Sequence, residues 1–161
     1  MLPSTLAAIT SAAGQGNHTL RWDTNNPSAS RFTTAFTGAV LDKNTGLVWE
    51  QAADAAPHTW FSATVHCVNK KVPAVGGTRG WRLPSVVELA SVQDPSLPAP
   101  FVPASVFSGV QSARYWSATT NADVPSIAWF VDFFDGNVND DVKALPVHAW
   151  CVRGGMHADQ Y

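Results

Sequence analysis

The sequence predicts an α+β domain, with two short helices packed on a small twisted antiparallel sheet and long irregular loops between them. Three observations predict it. Residues 58–70 and 85–90 carry apolar side chains at helical spacing. From residue 113 onward, aromatic and β-branched residues alternate in runs separated by turn residues. Between these regions, 93–113 holds four prolines and keeps no period, as an irregular segment would. Helices placed early and strands placed late make an α+β order, with helices covering a sheet.

Taken in order, residues 1–30 are rich in Ser, Thr, Ala, Asn and Gly and read as an extended lead-in docked by Leu20 and Trp22. The opening lacks a basic segment and carries Pro3 in its apolar part, so it is a poor signal peptide as it stands. "VLDKNTGLVWE" (40–50) predicts a hairpin, with Gly46 supplying the positive φ of the turn. "HTWFSATVHCVNK" (58–70) predicts a helix capped by Thr59, with Trp60, Ala63, Thr64 and Cys67 on its inner face. Pro73 and a glycine pair then open a loop.

"GWRLPSVVEL" (80–89) predicts a second helix. Ser85 and Glu88 match a capping box, and Pro84 stands just ahead of the cap, where a missing N–H costs nothing. Val86, Leu89 and Ala90 should face inward, with Trp81 and Leu83 anchoring the preceding extended residues. Arg82, between those anchors, points the other way and needs an acidic or carbonyl partner. Phe101, Val106 and Phe107 are candidate plugs for the irregular 93–113 segment. "ARYWSATT" then reads as a strand. In "SIAWFVDFF", Ile127, Trp129, Val131 and Phe133 form one face, with Ala128, Phe130 and Asp132 on the other. Asp135-Gly136 gives a turn into a polar strand, "NVNDDVKA". "PVHAWCVRGG" closes the domain, with Val147, Ala149 and Cys151 on one face and His148, Trp150 and Val152 on the other.

Composition narrows the function classes. The chain has 161 residues, 45% of them hydrophobic, enough for a packed core, and only 14% charged, against about 25% in an average soluble protein. A net charge of −2 gives no footprint for nucleic acid, and no apolar run approaches a membrane-inserting span. The low charge fits an exported protein. Cys67 and Cys151 match no CxxC or zinc spacing; totals leave open two buried thiols or one bond closing a long loop. A first helix lying on the last strand would make their pairing geometrically reasonable.

Catalytic patterns are missing. There is no G-x-S-x-G elbow, and the five histidines are scattered without a partner motif. His66 and Cys67 are neighbours on a helix, about 100° apart around its axis, so they do not face each other. "DGNVNDD" begins like a calcium loop but has Asp140 at the sixth position and Pro146 at the twelfth, where Gly and Glu belong. The expectation is therefore no enzyme, no resident metal and no cofactor. The seven tryptophans read mainly as packing. Loops 94–112, 118–126 and 134–146 remain for recognition. The candidate ligand-binding residues are Asn121, Asp123, Asp135, Asn137, Asn139 and Asp141, with Asp140 beside them.

"TGLVWE", the helix with one cysteine, "GWRLPSVVEL", "YWSATT", "AWFVDFFDG" and "WCVRGG" resemble, in this order, the Lcl C-terminal-domain-like family of bacteria, over residues 31–155. Residues 156–161 follow as a tail. The family takes its name from the C-terminal domain of a collagen-like surface adhesin. The resemblance implies a C-type-lectin-like fold, a Cys67–Cys151 disulfide, and a secreted, periplasmic or cell-surface setting. It also implies a glycan or protein ligand met by loops, or else a structural place in a larger surface complex. Two departures stand against the family pattern. This chain has no Gly-X-Y stalk repeat to imply trimers, and its one basic cluster is Lys70, Lys71, Arg79 and Arg82, where sulfated polysaccharide would call for more. A weaker similarity to formylglycine-generating, sulfatase-modifying domains carries no activity over, because their redox cysteines have no counterpart here.

Overall fold

The computed structural model describes residues 28–156. Leu20, Trp22 and residues 157–161 of the tail lie outside the described residues. Where the sequence suggests that an extended lead-in runs to residue 30, a single helical turn α1 (Ser28–Arg31) stands instead. It is anchored by the Arg31 side chain, which reaches Asp42 and the carbonyl of Ser91. Then follow β1 (Phe32–Phe36), β2 (Ala39–Asp42), β3 (Val48–Glu50) and β4 (Pro57–His58). Helix α2 (Trp60–Asn69), β5 (Trp81–Arg82) and helix α3 (Val86–Ser91) come next. The chain ends in β6 (Arg114–Thr120), β7 (Ile127–Asp132), β8 (Val138–Val142), β9 (Val147–His148) and β10 (Val152–Arg153).

The α+β class holds, with two sheets in place of the single one expected. One runs β1-β2-β3-β10-β5 and the other β4-β9-β6-β7-β8. The closing run "PVHAWCV" causes the division. It reads as one strand, but β9 pairs with β4 and, in parallel, with β6, after which the chain crosses to place β10 between β3 and β5. Its alternation is as the sequence suggests. Val147, Ala149 and Cys151 enter one core cluster with Ala63, Cys67 and Trp116. Trp150 and Val152 enter the other, with Trp49, Leu89 and Phe133. A single run thus fills both cores.

Local chemistry explains the elements around this run. In the β2–β3 turn, Gly46 takes φ 75° and its N–H donates to the carbonyl of Asp42 at 2.7 Å. Thr59 caps α2, its side chain accepting from the N–H of Ser62, and Ala63 and Cys67 are the buried positions of that helix. Cys67 is joined to Cys151, with Cα atoms 5.4 Å apart. The capping box of α3 forms in both directions: Glu88 N–H donates to Ser85 Oγ at 3.2 Å, and Ser85 N–H to Glu88 Oε2 at 2.8 Å. Arg82 finds its partner in that same carboxylate, through Nη1 to Oε2 at 2.8 Å and Nη2 to Oε1 at 2.7 Å. Pro84 is buried beside the cap, and Trp81 is buried with its Nε1 donating to Thr78 O.

Residues 93–113 form neither helix nor strand. Phe107 plugs this segment into the core, edge-on to Phe32 and to Trp150 at 5.0 Å each. Val102 is buried as well, whereas Phe101 and Val106 are only half-buried. The face of Ile127, Trp129, Val131 and Phe133 divides: Val131 and Phe133 are buried, while Ile127 and Trp129 are half-buried. Their cross-strand partners on β8 include Asp140, opposite Trp129, in a polar strand that ends the sheet order. No helix among the described residues is long and apolar enough to cross a membrane.

Candidate functional site

The residues marked for ligand binding fall at two ends of the β7–β8 hairpin. Asn121 and Asp123 lie in the 121–126 loop that leads into Ile127. Asp135 and Asn137 lie in the turn after Asp132, at the far end of a six-residue strand, roughly 15–20 Å away at the rise of a β-strand. Between them, Asn139 and Asp141 share one face of β8 and Asp140 takes the other. Asn121 Nδ2 donates to Asp140 Oδ2, so those two come together.

Several of these polar atoms shape the backbone. Asn121 Oδ1 accepts from the N–H groups of Asp123 and Val124 at 2.9 and 3.1 Å. Asp135 Oδ1 accepts from Asn137 N–H at 3.0 Å, and this bond holds the Asp135 carboxyl below its usual range. Asn139 and Asp141 each accept from the next residue's N–H at 2.8 Å.

An open cleft of about 420 Å³ lies beside the far turn. Its wall includes Arg114, Asp132, Phe134, Leu145 and His148. Arg114 stands 4.9 Å over the Phe130 ring and 3.6 Å from carboxylate oxygens of both Asp132 and Asp141. Phe134 is 70% exposed at the cleft. An apolar ring next to a cation and a carboxylate offers one stacking surface and hydrogen bonds of both polarities.

A second cluster gathers where the β3–β4 connection meets α2. His58 Nε2 lies 3.3 Å and His66 Nε2 3.6 Å from Asp54 Oδ2. The imidazole centroids are 4.7 Å apart. The N–H of Ala56 donates to Asp54 Oδ1 at 3.1 Å. That bond comes first among the influences that lower the Asp54 carboxyl, followed by the two histidines. Burial lowers His66, helped by the Lys70 charge and opposed by Asp54. His148, on the strand paired with β4, is lowered by burial too. Beneath them, Glu50 is 2% exposed and raised by burial, with Lys70 Nζ 2.7 Å from its Oε2 offsetting part of the cost.

The sequence model of the family described as the Lcl C-terminal domain matches residues 38–153. The chain belongs to that family. The Lcl C-terminal domain here runs from β2 to the end of β10, so the match takes in most of both core clusters, the disulfide and the β7–β8 hairpin. No curated protein matches the chain.

Two features of this Lcl C-terminal domain escape sequence reading. One is the Asp54, His58 and His66 group, which comes together where β4 meets α2; the usable signal is the spacing of two histidines on either side of the Thr59 cap. The other is the Glu50–Lys70 pair, hidden because Glu50 follows the apolar Val48-Trp49. The basic cluster also loses half of its free charge. Lys70 is tied to Glu50 and Arg82 to Glu88.

Proposed function

We propose that this domain is a non-catalytic recognition module working outside the cytoplasm, secreted, periplasmic or at the cell surface, and binding a glycan or a protein. The observation that carries the reading is the cleft with exposed Phe134 beside Arg114 and Asp132 in a member of this family. Sugars and peptides both present apolar faces for a ring to stack on and polar groups for a guanidinium and a carboxylate to bind. The disulfide supports an oxidising setting. The acidic and amide side chains of the β7–β8 hairpin extend the polar surface next to this cleft.

A glycan array and a host-protein pull-down with oxidised, folded protein test the reading. Binding is expected in one of them, and Phe134→Ala combined with Arg114→Ala should weaken it at least about tenfold, as loss of a central anchor does. No binding in either assay, or binding indifferent to both substitutions, overturns it.

One observation favours a second reading, a structural part of a larger surface assembly. Phe61, Val65 and Val68 form an outward apolar stripe on α2, 72%, 40% and 57% exposed. Sedimentation decides between the two. A stable oligomer dispersed by Phe61→Glu supports assembly, and a monomer supports recognition.

A further inference from the structure

We propose that Asp54, His58 and His66 form a binding site for a divalent transition-metal ion of the zinc type. Each residue offers one ligand atom, and these three atoms lie within 4.8 Å of one another. Two of the three spacings match a known coordination polyhedron. Ligand atoms held about 2.0–2.1 Å from a tetrahedral zinc stand roughly 3.3–3.4 Å from each other. His58 Nε2 and Asp54 Oδ2 are 3.3 Å apart, and His66 Nε2 and Asp54 Oδ2 are 3.6 Å apart. The two histidine ligand atoms, within 4.8 Å of each other, would close on a bound ion by side-chain rotation.

The surroundings hold the donors in place. Metal-binding histidines are normally oriented by a hydrogen bond at the other ring nitrogen. His58 Nδ1 lies 3.3 Å from Ser62 Oγ, one turn into α2. The other oxygen of Asp54 is fixed by the N–H of Ala56. His66 Nε2 is buried, makes no hydrogen bond and lies 3.6 Å from Asp54 Oδ2, a position where a bound ion would supply the partner it lacks. Two imidazoles and one carboxylate suit zinc, nickel or copper, whereas calcium and magnesium demand six or more oxygens. Three protein ligands leave a further position for water or for another donor.

The site would clamp three separately positioned pieces of chain: the β3–β4 connection, β4 and the third turn of α2. That is a role independent of the cleft beside Phe134.

Titration calorimetry of the untagged, disulfide-intact full chain is the test, with zinc and nickel chlorides against calcium and magnesium chlorides. The expected result is one zinc per chain at micromolar Kd or tighter, no comparable heat from calcium or magnesium, and a zinc-dependent rise in Tm. His58→Gln and His66→Gln should each weaken zinc at least about tenfold and cancel the rise in Tm. Asp54→Asn, at a half-exposed position, gives the same readout should His66→Gln disturb folding. The double variant His18→Ala/His157→Ala should bind zinc like the parent chain. The proposal is overturned by absence of zinc binding, by binding that survives both His58→Gln and His66→Gln, by its loss in the double variant, or by preference for calcium.

Discussion

Asp42 shows how much one residue decides. It is fully buried, and its carboxylate accepts four hydrogen bonds: from Arg31 Nε and Nη2 at 2.9 and 2.6 Å, from the N–H of Asn44 at 3.0 Å and from Thr45 Oγ1 at 3.0 Å. One side chain therefore folds the β2–β3 turn and neutralises a guanidinium that is itself buried. Breaking such a pair from one side is costly because the charge left behind has no water to replace its partner. Asp42→Asn should destabilise the domain by about 3–5 kcal/mol, measured by urea unfolding. Removing the stranded charge too, in Arg31→Met/Asp42→Asn, should recover part of that loss. A single substitution costing less than about 1 kcal/mol would contradict this account. The Gly46 turn is legible in the sequence, because it is local. The Arg31 pair is not, because nothing in "DKNTG" tells which cation will fold back onto it.

At the scale of elements, local signals read best where the partners are close in sequence. The Ser85–Glu88 capping box spans four residues and was predictable atom by atom; the Thr59 cap and the inner face of α2 likewise needed only local signals. Arg82 was legible as needing a partner, yet its partner is the capping carboxylate itself. Burial works against ionisation of Glu88, but the hydrogen bonds from Arg82 and the Ser85 N–H, with the Arg82 charge, prevail and hold its pKa below the ordinary 4.5. An acid depressed in the folded state contributes stability that is complete above its unfolded pKa and disappears as pH falls through the folded value. Glu88→Gln should therefore cost about 1–2 kcal/mol at pH 7, reduced from a fully buried case by the partial exposure of Arg82. The gap between parent and variant should stay level down to about pH 5 and close below about 4.5. Urea midpoints at several pH values check this, and a gap that widens in acid would contradict it.

Across the whole molecule, the closing run joins what sequence reading kept together as one sheet. Its alternation of Val147, Ala149 and Cys151 against Trp150 and Val152 was readable, while the crossing between sheets was not, since strand pairing depends on partners a hundred residues earlier. The histidine cluster is local by comparison, its residues meeting where the chain turns into α2 at the Thr59 cap, and the spacing of its two histidines was the one signal for it. Beside the strand pairings of the closing run, the Cys67–Cys151 bond ties the crossing covalently to α2, spanning 84 residues. In the chain-entropy account, closing a loop of that length removes about 4–5 kcal/mol of freedom from the unfolded chain. Both sulfurs are buried in the cluster formed by α2, Trp116 and Phe130, so their replacement also leaves a small defect in packing. Cys67→Ser/Cys151→Ser should lower stability by about 2–5 kcal/mol, and reducing agent should do the same to the parent chain. The two treatments should not add, because each removes the same constraint. If reduction leaves the double variant unchanged while lowering the parent's urea midpoint towards it, the bond is what fastens α2 to the closing run. If reduction moves neither protein, core packing and the pairing of β10 with β3 and β5 hold the closing run in place without the bond.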